Sequence, residues 1–273
     1  MTSIQKAIKY LAMAFAIFLS VSIIGGIVTA LAGISYIFTG SDSGKESAGE
    51  MQTYSVDGDI SKLALNLSGA ELKIKTAEKF SVESNNKYIS VDTNNGKLRI
   101  GEAKKPFSVM SKGVTVVLSI PEGFIFDDAD IDTGAGKVEI EELSADDLKL
   151  SLGAGEVQIK NLTANMSADI DGGAGELTIE DGLLRNLKLN MGVGELNLKS
   201  RIEGRSKLDY GIGEANLTLL GNSADYQIEL DKGIGDADLE GENMKDDSVY
   251  GAGKNKIEID GGIGDINIEF SEN

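Results

Sequence analysis

The segment Gly173–Ile179 reads GAGELTI, and its pattern of glycine, apolar residue, glycine, acid and alternating apolar residues recurs along the chain. The other acid-bearing copies are GAGEVQI from Gly153, GVGELNL from Gly192, GIGEANL from Gly211, GIGDADL from Gly233 and GIGDINI from Gly262. A variant with lysine in the acid position is GAGKVEI from Gly134. Partial matches to the repeat are SGAELKI from Ser68 and NNGKLRI from Asn94. A chain of this composition would contain about one acid-bearing copy by chance, so the repeat is real.

The first glycines of the seven copies from Gly134 to Gly262 are spaced 19, 20, 19, 19, 22 and 29 residues apart. A unit of this length holds two or three short strands and cannot bury its own apolar edge, so neighbouring units must stack. We therefore predict an all-β protein, a β-solenoid with coils of about 19–29 residues. We assign GAGKNKI from Gly251, inside the longest interval, to an expanded coil. A β-sandwich or barrel of similar strands is the alternative.

Apolar and polar residues alternate before each glycine pair, as in Leu187, Leu189 and Met191. This period of two indicates a strand with one buried face. The alternation continues onto the middle residue of each G-x-G. After the motif the apolar residues occupy the other set of alternate positions, which indicates a corner in the chain. The middle residues are therefore expected to face inward, and their increase in size predicts an interior cross-section that changes along the stack. They are Ala135, Ala154, Ala174, Val193, Ile212, Ile234 and Ile263.

Two places depart from the repeat. Lys232 occupies an inward slot that Leu152 or Met191 fills elsewhere, which predicts a local bulge or a paired lysine. Residues 54–125 are less regular and carry hairpin signals at Ser84-Asn85-Asn86 and Asn94-Asn95-Gly96. We expect this segment to form larger early coils that cap the stack.

A 28-residue apolar run, Leu11–Phe38, lies between Lys9 and Asp42 without a charged residue. A helix needs about 20 residues to cross the hydrocarbon core of a bilayer, so we predict a transmembrane helix over residues 11–38. Lys6 and Lys9 precede the run, and the positive-inside rule then places the N-terminus in the cytoplasm. A cleaved signal peptide is the alternative, because Ala30-Leu31-Ala32 resembles a cleavage motif.

This prediction divides the chain into four parts. Residues 1–10 form a cytoplasmic N-terminus, residues 11–38 a single membrane span, residues 39–53 a Gly- and Ser-rich linker, and residues 54–270 an extracytoplasmic repeat domain. The linker has no apolar periodicity, which is typical of a flexible connection.

The composition excludes several kinds of chemistry. The chain has no cysteine and no histidine, which rules out disulfides, zinc sites built on these residues and Ser-His-Asp triads. Lys plus Arg number 26 against 44 Asp plus Glu, a net charge of −18, which argues against a nucleic-acid partner. We predict no enzyme activity, and we assign no catalytic, cofactor-binding or metal-binding residue.

The acids after the glycine pairs are the sharpest candidates for a site, because in-register coils would stack them into a ladder of like charges. They could bind a cation such as Ca²⁺. Alternatively they could accept hydrogen bonds from corner N–H groups or lie in water, which is the interpretation we favour. The ladder residues are Glu156, Glu176, Glu195, Glu214, Asp236 and Asp265. Neighbouring carboxylates could also form acid/base pairs, although sequence neighbours on a strand face opposite sides. These pairs are Asp127-Asp128, Glu141-Glu142, Asp146-Asp147 and Asp246-Asp247.

An N-terminal anchor followed by repeated G-x-G-[ED]-x-x-[IL] units resembles the bacterial putative-adhesin family of β-strand-repeat proteins, also described as toastrack domains. Members occur in Lia-type and phage-shock-type envelope-stress loci. The resemblance covers residues 54–270 and the anchor. It implies a right-handed β-solenoid on the outer side of a bacterial cell membrane, without known catalysis and with no catalytic residues to carry over.

We therefore expect a single-pass membrane protein that acts as a non-enzymatic adhesin-like module or as an envelope-stress scaffold or sensor. Its partner would be an envelope protein or a cell-wall polymer. A solenoid polysaccharide lyase or hydrolase is the enzymatic alternative. A self-assembling filament former is the third, although the polar C-terminal sequence INIEFSEN, from Ile266, weakens it.

Overall fold

The computed structural model describes residues 49–102 and 113–272, and the strands belong to one compact unit. The predicted membrane span 11–38 and most of the linker 39–53 lie outside these residues. Within the two described ranges, no helix has the length and apolar character needed to cross a bilayer.

The described residues form sixteen strands and one 3₁₀ turn, Ser223–Asp225. The strands are β1 (Gln52–Ser55), β2 (Lys62–Gly69), β3 (Glu71–Ala77), β4 (Ser81–Ser84), β5 (Ile89–Asn94), β6 (Lys97–Glu102), β7 (Thr115–Pro121), β8 (Ile125–Ile179), β9 (Gly182–Arg185), β10 (Leu187–Glu203), β11 (Arg205–Leu220), β12 (Tyr226–Asp231), β13 (Ala237–Leu239), β14 (Glu242–Asn243), β15 (Ser248–Gly251) and β16 (Asn255–Ser271).

Successive repeat units pair in parallel, with like residues side by side. β10 lies between β8 and β11, so Gly194 is the register partner of Gly175 on one side and of Gly213 on the other. Each unit thus forms one rung of a stack. The prediction of an all-β fold is confirmed, and the in-register parallel pairing is that expected of a solenoid rather than of a sandwich.

The inward side chains of the rungs form one continuous hydrophobic core. On β10 they include Leu187, Leu189, Leu196 and Leu198, each at most 1% exposed. The period-two alternation therefore predicted the buried face of the strands correctly. Burying a leucine side chain contributes about 1.5–3 kcal/mol, so the repeated leucines and isoleucines are the main stabilising element.

The last two repeat units do not stack in sequence order. β16, the final strand, pairs with β11 on one side, where Gly264 lies opposite Gly213. On its other side β16 pairs with β12 and β13, where Ala237 lies opposite Ile266. The unit that contains Gly233 is therefore the outer rung, and the C-terminal unit is inserted beneath it.

The segment around Gly251 is consequently not an expanded coil, as the sequence had suggested. β15 pairs antiparallel with β12, and β14 pairs antiparallel with β13, so both strands cover the outer rung. The long interval between Gly233 and Gly262 contains these covering strands and the return of the chain to the inner rung. An outer rung has an unpaired edge, and short antiparallel strands are one way to protect it.

The N-terminal end of the domain follows the same plan. β2 lies between β6 and β8, and β3 lies between β7 and β8. The first strands of the domain therefore form an inner rung, and β6 and β7 form the outer one. β5 pairs antiparallel with β6, and β4 pairs antiparallel with β7.

The prediction that residues 54–125 cap the stack holds for β4 to β7 but not for β2 and β3. The corner Ser68–Ala70 lies directly against Gly134 and Gly136, as in an ordinary repeat. NNGKLRI from Asn94 is not a corner, because Asn95 (φ 51°) and Gly96 (φ 72°) form the tight turn of the β5–β6 hairpin. Two successive positive φ angles are typical of a type I′ turn.

The order of the C-terminal rungs predicts which engineered cysteines can form a disulfide. Asn267 is the register partner of Asn216 and of Asp238, so Asn216 and Asp238 lie two rungs apart, about 9.6 Å. Because a disulfide requires Cα atoms within about 7 Å, Asn216→Cys with Asn267→Cys should oxidise to a crosslinked chain. The readout is titration of free thiols and mobility on a non-reducing gel, in a background without native cysteine.

Asn216→Cys with Asp238→Cys is the matched control, since rungs stacked in sequence order would make these two residues neighbours. It should keep both thiols free. A rapid crosslink in this control, and none in the first variant, would show that the rungs stack in the order in which they occur in the sequence.

Candidate binding groove along the glycine corners

The corner of each unit consists of two glycines with one residue between them. Close backbone contact between neighbouring rungs requires glycine at both of these positions. The second glycine has a positive φ, 140° at Gly194 and 132° at Gly175, a region that other residues rarely adopt. A Cβ atom built on Gly194 would lie 1.8 Å from the carbonyl oxygen of Gly175. The corners therefore stack backbone on backbone, with no room for side chains between them.

The middle residues of the corners face outward, contrary to the sequence prediction. All seven are partly or fully exposed. Among the isoleucines, Ile263 is 42% exposed and Ile234 is 70% exposed. The increase from alanine to isoleucine therefore describes an apolar column on the surface and says nothing about the interior cross-section.

A groove runs along the corners across six rungs and has a volume of about 760 Å³. We call it the glycine groove. Its lining includes the first glycine of each corner, namely Gly134, Gly153, Gly173, Gly192, Gly211 and Gly262. It also includes the residue two positions before each of these glycines, a set that we call the polar wall. The polar wall consists of Asp132, Ser151, Asp171, Asn190, Asp209 and Asp260.

The polar wall was missed in the sequence analysis, although a signal was present. An Asp, Asn or Ser occurs two residues before every first glycine from Gly134 to Gly262. These positions are outward slots of the strand that precedes the corner, and on the sequence alone they look like an ordinary solvated face. Only the groove beside them distinguishes them from other outward residues.

Hydrogen bonds between rungs order the polar wall. Asn66 donates its side-chain amide to Asp132 at 3.0 Å, and Asn190 donates to Asp171 at 2.6 Å. Each donor is the register neighbour of its acceptor on an adjacent strand. The carboxylates are therefore held in a defined column along the stack.

One ammonium group sits against the polar wall. Lys207 Nζ lies 2.5 Å from a carboxylate oxygen of Asp260 and 3.3 Å from one of Asp209. It also contacts Glu258 at 3.0 Å. The hydrogen bonds that this ammonium donates to Asp260 and, with a smaller effect, to Glu258 raise the pKa of Lys207 above its ordinary value. The wall thus binds a primary ammonium between two adjacent rungs.

The predicted acidic ladder is present on the other side of the corners, with its last two members exchanged. Glu195 pairs in register with Glu176 and Glu214, and Glu214 pairs with Asp265. The backbone N–H of Asp236 donates to Asp265 at 3.2 Å, which places Asp236 last. The repulsion expected between like charges must therefore be offset by local partners.

Neighbouring side chains supply such partners at some of the six ladder residues. Lys137 Nζ lies 3.2 Å from Glu156, and Asn197 donates to Glu195 at 2.8 Å. The first is an ion pair, which partly neutralises the ladder at that end. The donors in these two contacts are side chains and not the corner N–H groups that we expected from the sequence. Within residues 49–102 and 113–272, no cluster of three or more Asp or Glu residues is arranged to hold a metal ion.

An asparagine ladder continues this network across three rungs. Asn216 donates to Asn197 at 3.0 Å, and Asn267 donates to Asn216 at 2.9 Å. Because each amide both donates and accepts, such a chain reinforces the register between rungs. It joins units that are not consecutive in sequence, in agreement with the inserted position of β16.

Tyr210 supports one corner from inside. Its hydroxyl donates to backbone carbonyls at the corner, that of Gly194 and that of Glu214, the latter at 2.9 Å. Burial raises the pKa of this phenol to about 12. The group is therefore neutral and acts as a structural donor.

The structure also locates the other residues that the sequence singled out. β12 ends at Asp231 and β13 begins at Ala237, so Lys232 lies in the interval between these two strands. The N–H of Lys232 donates to the carboxylate of Asp246 at 3.0 Å.

Three of the paired carboxylates accept hydrogen bonds from neighbouring rungs. Asp146 accepts a hydrogen bond from Asn165, and Asp147 accepts one from Ser167. Glu141 accepts from the backbone N–H of Thr76. Each of these three carboxylates therefore has a structural partner on another rung.

The chain is similar to several solved structures at low sequence identity. A "putative cell adhesion protein" from Clostridium sporogenes is 19% identical, with a TM-score of 0.32, and the match covers 81% of this chain and 99% of that chain. A "putative adhesin" from Bacteroides fragilis is 13% identical, with a TM-score of 0.45 and coverages of 80% and 95%. A "putative lipid binding protein" from Parabacteroides distasonis is 14% identical, with a TM-score of 0.40 and coverages of 80% and 96%. No curated protein matches the chain.

A family model, Toastrack DUF4097, matches residues 60–269. The match begins just before β2 and ends within β16, so it contains both inserted rungs and every glycine corner between them. This agrees with the resemblance that the repeat phrase and the glycine spacing indicated. The chain belongs to the Toastrack DUF4097 family.

Proposed function

We propose that this protein is a non-enzymatic, membrane-tethered binding module of the bacterial envelope. It acts as an adhesin-like module or as an envelope-stress scaffold or sensor, and holds an extended envelope protein or wall polymer along the glycine groove. The observation that carries the proposal is the groove itself, which presents one polar-wall side chain per rung over six rungs.

The repetition of the groove favours an extended partner. Rungs are spaced by about 4.8 Å, so the six corners span about 24 Å along the stack. Every rung offers the same kind of side chain at the same position. A partner with its own repeat can engage several rungs at once, and many weak contacts then add to useful affinity.

The same repetition speaks against catalysis in the groove. An active site brings different groups, such as a nucleophile, a base and an oxyanion donor, to one point. The polar wall instead spreads short polar side chains of Asp, Asn and Ser along a line. The described residues therefore favour binding over turnover.

The membrane tether and the extracytoplasmic location rest on the sequence of residues 11–38. With this anchor in the bilayer, the linker 39–53 would present the repeat domain outside the cytoplasmic membrane.

Site-specific photo-crosslinking in intact cells tests the proposal. A photoreactive residue at Ser151 or at Asn190, which lie two rungs apart in the groove, is expected to capture the same envelope component. A photoreactive residue at Lys199, on another face of the stack, serves as the control and should give no such adduct. Adducts that are equal at all three positions, or missing at both groove positions, would contradict a partner in the groove.

A further inference from the structure

We propose that β16 is a displaceable rung, and that β12 and β13 close directly onto β11 when β16 leaves the stack. The C-terminal end of the domain then has two closed arrangements, the observed one and one that is shorter by a single rung. This inference concerns the stack itself and is independent of the glycine groove and of the membrane tether.

The strand register is the first argument. β16 lies between β11 on one side and β12 with β13 on the other, and it pairs in parallel with all three. Ile259, for example, is the register partner of Leu208 on β11 and of Leu230 on β12. Without β16, an inward movement of the outer rung by one spacing of about 4.8 Å would place Leu230 beside Leu208. Closure therefore needs no change of register, and buried residues meet buried residues.

The charged side chains match as well. Lys207 Nζ lies 3.0 Å from a carboxylate oxygen of Glu258 and 2.5 Å from one of Asp260, both on β16. The register partners of these two acids on β12 are Glu229 and Asp231. After closure the outer rung would thus present the same pair of acids to Lys207, and the ammonium would not lose its partners.

The glycine corners also allow closure. Gly235 of the outer rung, Gly264 of β16 and Gly213 of β11 have nearly equal φ angles of 147°, 137° and 138°. A Cβ atom on Gly235 would lie 1.9 Å from the carbonyl oxygen of Gly264, and one on Gly264 would lie 1.7 Å from that of Gly213. The corners therefore stack backbone on backbone, and Gly235 can take the place of Gly264 against Gly213.

The chain connections permit both arrangements. Residues 221–225 connect β11 to β12, whereas Gly204 alone connects the adjacent rungs β10 and β11. The longer connection spans two rungs in the observed structure and is long enough for one. β14 and β15 pair with β13 and β12, so the strands that cover the outer rung would move with it. Closure therefore leaves no newly unpaired strand edge in the stack.

Burial of apolar side chains on β16 favours the observed arrangement. These side chains are Ile257, Ile259, Ile266 and Ile268, each at most 2% exposed. A displaced β16 has two unpaired edges, and a partner chain that pairs with it as an added strand would shift the balance towards the shorter arrangement. The C-terminal rung thus acts as an exchangeable strand.

Disulfide trapping in the full chain, in non-ionic detergent, tests the proposal. Ile259→Asp with Ile266→Asp puts two charges on the buried face of β16 and should expel this strand. Closure would bring Asn216 and Asp238 from two rungs apart to one, which is within reach of a disulfide. In this background, Asn216→Cys with Asp238→Cys should change from two free thiols to a crosslink in most chains. Circular dichroism should still show a cooperatively folded domain.

β10 provides the matched control, because the chain passes through it on the way from β8 to β11. Leu189→Asp with Leu196→Asp makes the equivalent change there, and Thr178 and Asn216 lie two rungs apart across β10. Closing this gap would require residues 187–203 to form a loop, with its entropic cost. The β10 variant should therefore lose its sheet signal in circular dichroism instead of closing the stack.

Three results would overturn the proposal. Free thiols at positions 216 and 238 in a folded domain with the two β16 aspartates would show that the outer rung does not close. Unfolding of the whole domain by these aspartates would show that the stack depends on β16. A β10 variant that stays folded, and that crosslinks as readily through cysteines at positions 178 and 216, would show that any rung can leave.

Discussion

Replacing Gly194 by alanine is expected to unfold the repeat domain or destabilise it by more than about 3 kcal/mol. Two independent costs add at this position. The backbone has φ of 140°, which an L side chain rarely adopts. The new Cβ would also lie 1.8 Å from the carbonyl oxygen of Gly175, and that atom is backbone and cannot rotate away. Relief would require separating two rungs, with loss of their ladder hydrogen bonds. Urea unfolding followed by circular dichroism measures the effect.

Gly123→Ala is the matched control. Gly123 also has a positive φ, 69°, but a Cβ there would meet nothing within 4 Å. It should cost only about 1 kcal/mol, the strain of the left-handed region. Equal losses at Gly123 and Gly194 would show that backbone strain alone matters and that the corners do not stack closely.

A charge in the core is expected to be as damaging, and it tests which side of the chain faces inward. Leu217→Asp should destabilise the domain by more than about 4 kcal/mol, because Leu217 is 2% exposed and an isolated carboxylate would lose its hydration. Thermal unfolding monitored by circular dichroism reports the loss.

Ile234→Asp makes the same kind of change at a middle residue of a corner. Because Ile234 lies on the surface, this variant should unfold within about 0.5 kcal/mol of the parent protein. Severe destabilisation by Ile234→Asp would show that the middle residues face inward, as the alternation predicted, and not outward.

The error at the middle residues has a physical origin. Period-two reasoning assumes a continuous strand, in which side chains alternate sides. At Gly192–Gly194 the positive φ of the second glycine breaks the alternation, and Val193 moves outward. The glycines themselves signalled a corner, but the direction in which the corner projects depends on contacts with the rungs above and below.

The exchanged order of the last rungs had a different cause. β12 with β13, and β16, carry the same repeat phrase, so either could pair with β11 in the same register. Local sequence does not distinguish these partners. The intervals of 22 and 29 residues were the available signal, and they fit an expanded coil as well as an insertion.

By itself, the sequence determined that this is an all-β stack of repeats, which strand residues are buried and which carboxylates line up. These features follow from the two-residue alternation of apolar and polar side chains and from glycine's tolerance of positive φ. Both are present in the sequence of each unit. Only the tertiary structure decided the order of the end rungs, the outward direction of the corner residues and the groove beside the polar wall. The reason is that equivalent units can pair interchangeably. Which units pair depends on the chain connections between them and on how the unpaired edges of the outer rungs are protected, and both involve the whole domain.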